Sequence, residues 1–320
     1  MGRGIPWLFL LLGFLSPDSS LPGMSGTPQP PVDSGVELFV LGSVQDGGSP
    51  HIGCARACCA PFFKDPDPTR KVVALGLIDR QAGQTFLIEA GPDFPQQLHL
   101  LQERAMRQQP VPSGILLTHA HIGHYTGLMF LGREALNADS VPVYAMPRMR
   151  RFLMENGPWS QLVSLGNMAL QPLEASQPIR LTPRLEVVPF RVPHRDEFSE
   201  TVGFEIRGPG KTVLFIPDID KWERWETDIA ERIRHADLAF LDASFYDASE
   251  IGYRDMSEIP HPFVVESMAR FDSLPEAERR KIHFIHLNHT NPLLDPSSDQ
   301  SRAVLKKGYR VARFGESFEL

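Results

Sequence analysis

Residues 118–127, THAHIGHYTG, follow directly on the apolar run Ile115, Leu116, Leu117. Such a run reads as a buried strand, and His119 and His121, an i, i+2 pair, send two imidazoles the same way as the chain leaves it. His124 makes three imidazoles within six residues. That density points to a metal site delivered by a strand into a loop and then a helix. If so, the rest of the chain is expected to supply further ligands from other strand ends.

The chain has 320 residues, 42% of them hydrophobic, enough for one large folded unit with a full core. A formal net charge of -7 gives no broad positive field, which argues against a nucleic-acid partner and for a small-molecule substrate. The short basic run Arg148, Arg150, Arg151 reads as a solvated helix face. At the N-terminus, Arg3 precedes an apolar stretch from Ile5 to Leu15, about eleven residues long, which fits a signal-peptide core and is too short for a stable membrane span. No A-x-A cleavage site follows it. Residues 1–20 are therefore expected to be a signal peptide or targeting segment, giving a secreted or periplasmic protein, or a cytoplasmic one if the segment is not a signal. Residues 21–35, rich in Pro, Ser and Gly, read as a flexible linker, and 36–320 as the folded domain.

Within that domain, apolar β-rich runs predict strands at Val36–Leu41, Val72–Ile78, Thr85–Ile88, Ile115–Leu117, Val143–Met146, Ile179–Leu181, Leu185–Phe190, Val202–Ile206, Val213–Ile216, Leu238–Leu241 and Ile282–Leu287. The turn RQAGQ between the second and third predicts a hairpin. Helices are expected at Pro95–Arg107, with Leu98, Leu101 and Met106 on its apolar face, and at Tyr125–Leu136, Trp222–Ile233, Pro262–Arg270 and Ser301–Lys306. This order implies an α/β sandwich, two sheets face to face with helices outside.

The ends of the predicted strands carry the polar residues. His194 follows Val192, Asp218 and Asp220 follow Ile216, Asp242 follows Leu241, and His286 and His289 lie on or just past the last strand. A catalytic metal needs three protein ligands and an open position, and it can draw them from distant strands. His99, His235 and His283 read as surface or packing histidines. The turn-rich segment QDGGSPHIGCARACC holds all three cysteines, Cys54, Cys58 and Cys59. With His51 they have the composition of a structural metal site; one disulfide plus an odd thiol, or plain thiols, are the alternatives.

At these residues the sequence resembles the metallo-β-lactamase superfamily, whose signature is H-x-H-x-D-H after a strand. The resemblance implies a four-layer αβ/βα sandwich. It implies a first metal held by His119, His121 and His194, with Asp218 bridging to a second metal held by His124 and His286. Gly123 stands where the family has an aspartate, so the second site is expected to be weakened, and one or two ions of Zn or Fe are expected. Within the superfamily the chain is most similar to the pyrroloquinoline quinone (PQQ) biosynthesis protein B family. The matching segments are VLGSVQDGGSP, EAGPDFPQQL, THAHIGHYTGL, VPHRDEF, DASFYD, the His261 region and FIHLNHTNPLL.

The expectation that follows is a metal-dependent hydrolase acting on a small ester or phosphodiester. Asp218 would orient the attacking hydroxide, and His261 would stabilise an oxyanion or protonate the leaving group. The resemblance also implies iron- and oxygen-dependent oxidation of a PQQ precursor as an alternative. A non-enzymatic binder or carrier of the quinone or its precursor, with the site degraded at Gly123, is a third.

Overall fold

The structure, a computed structural model, describes residues 1–2, 35–107, 110–252 and 255–320, without the Ser257 side chain. The expected targeting segment and linker therefore lie, but for residues 1, 2 and 35, outside the described residues. Among the described residues no helix is long and apolar enough to cross a membrane.

Among the described residues fourteen strands form two sheets: β1 Val36–Gly42, β2 Ala74–Asp79, β3 Gln84–Ile88, β4 Gly114–Leu116, β5 Val141–Ala145, β6 Met168–Pro172, β7 Ile179–Thr182, β8 Leu185–Arg191, β9 Val202–Arg207, β10 Thr212–Ile216, β11 Leu238–Asp242, β12 Ile282–Ile285, β13 Arg310–Val311 and β14 Ser317–Glu319. The first sheet runs β14-β1-β2-β3-β4-β5-β6 and the second β13-β12-β11-β10-β9-β8-β7. The expected hairpin is present, with β2 antiparallel to β3. The helices are α1 Phe94–Arg104, α2 Ile122–Tyr125, α3 Pro147–Glu155, α4 Trp159–Ser164, α5 Ile229–Arg234, α6 Val264–Phe271, α7 Glu276–Arg279 and α8 Asp299–Lys306.

Alternation along the strands separates three apolar layers. In β1, Leu38 and Val40 face the core between the sheets, where Phe86, Phe204, Phe215 and Phe240 are buried. Phe39 and Leu41 face the other way, into the layer containing Leu98 and Leu101 of α1 and Met149 and Leu153 of α3. A matching layer on the second sheet holds Ile229 and Ile233 of α5 with Val264, Met268 and Phe271 of α6. Each phenyl ring buried between the sheets contributes about 1.5–3 kcal/mol. The result is the four-layer αβ/βα sandwich.

Three local expectations are corrected. Met106 is 81% exposed, beyond the end of α1. The helix expected over Tyr125–Leu136 is instead the single turn α2 followed by a 3-10 turn at Thr126–Leu131. Close docking sets that geometry, because a Cβ on Gly127 would lie 2.2 Å from the Gly91 carbonyl oxygen. The helix expected from Trp222 to Ile233 is split into a 3-10 turn at Trp222–Arg224 and α5, which starts where Asp228 accepts a hydrogen bond from the Ala230 N–H.

The three histidines read as structural lie away from the site. His99 is exposed, and the His235 ring, also exposed, bonds Glu231 at 3.0 Å. His283 on β12 stacks on Phe240 with ring centroids 5.0 Å apart, meets Phe318 edge-on and bonds the Lys281 carbonyl at 3.0 Å. Burial pushes its pKa down from 6.5 to about 4. Between those values the unfolded chain takes up a proton that the folded chain refuses, so stability falls as pH drops below 6.5 and levels off below about 4. At pH 4.5 the cost is about 2–3 kcal/mol relative to pH 7.5. His283→Phe keeps the ring and removes the base, so the unfolding free energies from urea titrations at the two pH values are expected to differ less in the variant by that amount. An unchanged difference would show that His283 is not part of the acid sensitivity.

Candidate metal centre

β1, β3, β4, β8, β10, β11 and β12 end on one edge of the sandwich, and the first residues after them converge there. In each sheet these strands share a direction, set by the parallel pairs β3-β4, β10-β11 and β11-β12 and by the two antiparallel steps that relate β1 to β3 and β8 to β10. The carboxyl ends of parallel strands are where an open α/β sheet leaves room for a ligand. The two sheets are joined at this edge by the Val202 N–H donating to the Thr118 carbonyl at 3.2 Å.

One group comprises His119, His121, His194 and Asp218. The His119 Nε2 and His121 Nδ1 atoms are 2.9 Å apart, and His121 Nδ1 lies 3.3 Å from His194 Nε2. Asp218 Oδ2 is 3.2 Å from both His119 Nε2 and His194 Nε2 and 3.8 Å from His121 Nδ1. Four donors about 2.0–2.1 Å from a tetrahedral ion would be roughly 3.3 Å from one another, so these separations fit a divalent cation. The outward nitrogens are held in turn: His119 Nδ1 by Thr118 Oγ1 at 2.9 Å, His121 Nε2 by Glu197 at 3.1 Å and His194 Nδ1 by Asp220 at 3.2 Å. Such outer partners fix the ring that faces a metal.

A second group comprises Asp46, His124, Asp218 and His286. Asp46 Oδ1 is 3.1 Å from His124 Nε2 and 3.1 Å from His286 Nε2. His124 Nδ1 faces Glu89 at 3.2 Å, and His286 Nδ1 bonds Ser244 Oγ at 2.9 Å. Glu89 also accepts from Thr118 Oγ1 at 2.5 Å. Glu89 and His286 both have positive φ, 75° and 65°, a conformation that costs a non-glycine residue energy and that sites retain where the surroundings enforce it.

Asp218 belongs to a third group as well, with Asp242 and His261. His261 Nδ1 bonds Asp242 Oδ2 at 2.8 Å and lies 3.1 Å from Asp218 Oδ1. The latter contact lacks hydrogen-bond geometry, leaving Asp218 Oδ1 a buried oxygen without a hydrogen bond. Burial would raise the Asp218 pKa, but the imidazoles of His194, His261 and His286 more than offset it and hold the carboxyl well below the usual range. For His261, burial acts to lower the pKa and is outweighed by Asp242 and Asp218, which raise it well above the ordinary imidazole value. An ionised, buried, under-bonded carboxylate among converging imidazole nitrogens is a donor set suited to a cation.

The structure thus gathers His119, His121, His124, His194, Asp218, His261 and His286, the residues proposed from the sequence for the catalytic metal centre. It also adds Asp46, Glu89, Glu197 and Ser244, which the motif spacing misses. Gly123 brings no carboxylate to the second group; its second acid beside Asp218 is Asp46, 78 residues from His124 in the chain. A signal was available, because Asp46 follows the end of β1 as the other ligands follow their strands.

The cysteines form a separate group. Cys54, Cys58 and Cys59 are free thiols, gathered with His289. His51, expected as the fourth member, is displaced from it. Its ring stacks on His289 with centroids 4.3 Å apart and bonds the Ile52 carbonyl, while its N–H donates to Cys59 Sγ at 3.3 Å.

Residues 84–287 match the family model of the β-lactamase superfamily domain. The chain belongs to this superfamily, with the metallo-β-lactamase fold. It is similar to coenzyme PQQ synthesis protein B of Rhizobium meliloti (strain 1021), 26% identical over 314 residues that cover 90% of this chain and 99% of that one. Among solved structures it superposes on Zn(2+)-bound PqqB from Methylobacterium extorquens with a TM-score of 0.74 at 22% identity, covering 89% of this chain and 100% of that one. A diphosphatase of the PhnP family gives a TM-score of 0.61 at 22% identity, over 89% of this chain and 97% of that one.

Proposed function

We propose that the chain is a metal-dependent hydrolase acting on a small phosphodiester or ester. The observation that carries this reading is Asp218, whose carboxylate is shared by the three groups of histidines and aspartates. His119, His121, His194 and Asp218, with His124 and His286 toward a second ion, would hold a divalent cation, Zn or Fe, whose chemistry there would be to lower the pKa of water and polarise the scissile oxygen. The protein's own groups do the rest. Asp218 accepts a hydrogen bond from the attacking water and orients it. His261, partly open to solvent and anchored through Nδ1 by Asp242, keeps Nε2 for donation to the oxygen that gains charge or departs. The diphosphatase neighbour favours a phosphoryl over an acyl substrate.

The test is turnover of bis(p-nitrophenyl) phosphate and p-nitrophenyl acetate by protein loaded with zinc or manganese under nitrogen. Hydrolysis without oxygen is expected, and its absence for both substrates would overturn the reading. A second reading, iron- and oxygen-dependent oxidation of a PQQ precursor, is favoured by the similarity to the PQQ synthesis proteins over nine-tenths of the chain. Turnover that requires both iron and oxygen would select it. A non-enzymatic carrier of the quinone or its precursor, with the site degraded at Gly123, is the third reading; the Asp46 oxygen facing His124 and His286 argues against a degraded site. For the thiols with His289, three soft donors and one imidazole suit a structural zinc.

A further inference from the structure

We propose that Asp46 performs the metal-binding role of the acid missing at position 123, and that Gly123 is the space that admits it. This rests on the reading of the centre as a metal site and concerns which residues of this chain complete it.

Space supplies the first support. A Cβ built on Gly123 would lie 2.6 Å from both the Asp46 Cα and Oδ1 atoms and 2.7 Å from its Cγ. Those atoms are backbone and the near end of a short side chain, so they cannot step aside. Any side chain at 123 and the present position of Asp46 are mutually exclusive. A family-like aspartate at 123 and Asp46 are therefore alternatives for one volume.

Aim supplies the second. A single oxygen of Asp46 faces Nε2 of both His124 and His286 at 3.1 Å. On the opposite side of those rings, His124 Nδ1 faces the Glu89 carboxylate at 3.2 Å and His286 Nδ1 bonds Ser244. Asp218 Oδ2 lies 3.9 Å from His124 Nε2, so two carboxylates and two imidazoles close around one point. If Asp46 were only a surface turn residue, nothing would require its oxygen to meet two buried rings from different ends of the chain.

Bracing supplies the third. Val44 forms isolated bridges to both Val72 and Leu287. The Gln45 N–H donates to the Leu287 carbonyl at 2.9 Å, and the Leu287 N–H to the Ser43 carbonyl at 2.8 Å. These bonds hold residue 46 beside residue 286, which is 240 positions away in the chain. A Cβ on the next residue, Gly47, would lie 2.4 Å from the His51 ring, so the DGG turn is packed against the segment leading to the thiols. Ligands preset by main-chain bonds lose little entropy on closing around an ion.

The experiment counts ions. Manganese(II) suits imidazole and carboxylate donors better than thiolates, so equilibrium dialysis of the full chain against it, with elemental analysis and electron paramagnetic resonance, reads the histidine groups. Two bound ions with a spin-coupled signal are expected for the wild type. Asp46→Asn is expected to bind one ion tightly, with the second weakened about 100-fold or more and the coupled signal lost. Gly123→Ala, whose methyl would lie against the Cα and side chain of Asp46 and brings no donor of its own, is expected to lose the second ion in the same way. An Asp46→Asn protein that keeps two ions at wild-type affinity overturns the assignment while leaving the metal centre standing. A folded Gly123→Ala protein that keeps two ions at wild-type affinity overturns the claim that Gly123 is the space that admits Asp46. A wild type that binds one ion removes the second site and the assignment with it, and one that binds none overturns the metal reading itself. Far-UV circular dichroism accompanies each count; if Asp46→Asn does not fold, Gly123→Ala decides.

Discussion

Asp218→Ala is expected to lower kcat/KM for phosphodiester hydrolysis at least ~10³-fold, about 4 kcal/mol of transition-state stabilisation, and to deplete metal from both histidine groups. Its Oδ2 lies 3.2 Å from His119 and His194 Nε2, and its Oδ1 3.1 Å from His261 Nδ1. Removing the carboxylate takes away a donor common to both groups and leaves buried imidazoles facing one another without their shared counter-charge. Loss of metal and loss of activity should therefore go together. Metal content by elemental analysis and kcat/KM on the same preparation provide the check. A variant retaining both within tenfold would remove Asp218 from the centre of the mechanism.

His261→Gln is expected to separate what Asp218→Ala joins. His261 is tied to Asp242 at 2.8 Å and contributes to neither histidine-rich group. Metal content should therefore stay at the wild-type level. The rate should still fall, with kcat down about 10²–10³-fold, the scale of losing one donor to a developing anion. KM is expected to change little, because the lost bond strengthens only as charge develops. A larger loss with a poor leaving group such as an alkoxide than with p-nitrophenolate would show proton donation to the leaving oxygen; equal losses would favour oxyanion stabilisation. Unchanged kcat with both leaving groups would make His261 a structural partner of Asp242.

Much of this centre is visible in the sequence because its ligands obey a local rule. His119, His194, Asp218 and His286 each stand within a few residues of the end of an apolar run, and such runs are the most legible feature of a buried sheet. Asp46 obeys the same rule yet reads as a turn residue, since Asp-Gly-Gly is strong turn chemistry. What marks it as a ligand is the space left at Gly123, a relation between two loops that no local pattern carries. The strands missed have equally plain causes. β13 and β14 are two and three residues long and exist because neighbouring strands offer hydrogen bonds. β6 ends in Pro172, which disguises an edge strand. The helix predicted from Tyr125 fails at glycines whose purpose is close backbone approach, so its apolar spacing reflects docking rather than helical period.

The bonds between Ser43, Gln45 and Leu287 also set an order of events in the life of the chain. A protein emerging from the ribosome presents Asp46 240 positions before His286, which follows the Ile282–Ile285 strand. Until that late strand arrives, His286 is missing and the turn bearing Asp46 has nothing to close against. The nascent polypeptide can collect its early histidines but cannot finish the pocket they serve. A chain truncated before His286 has no complete second group of donors, which makes acquisition of a full complement of ions a record that translation passed that histidine.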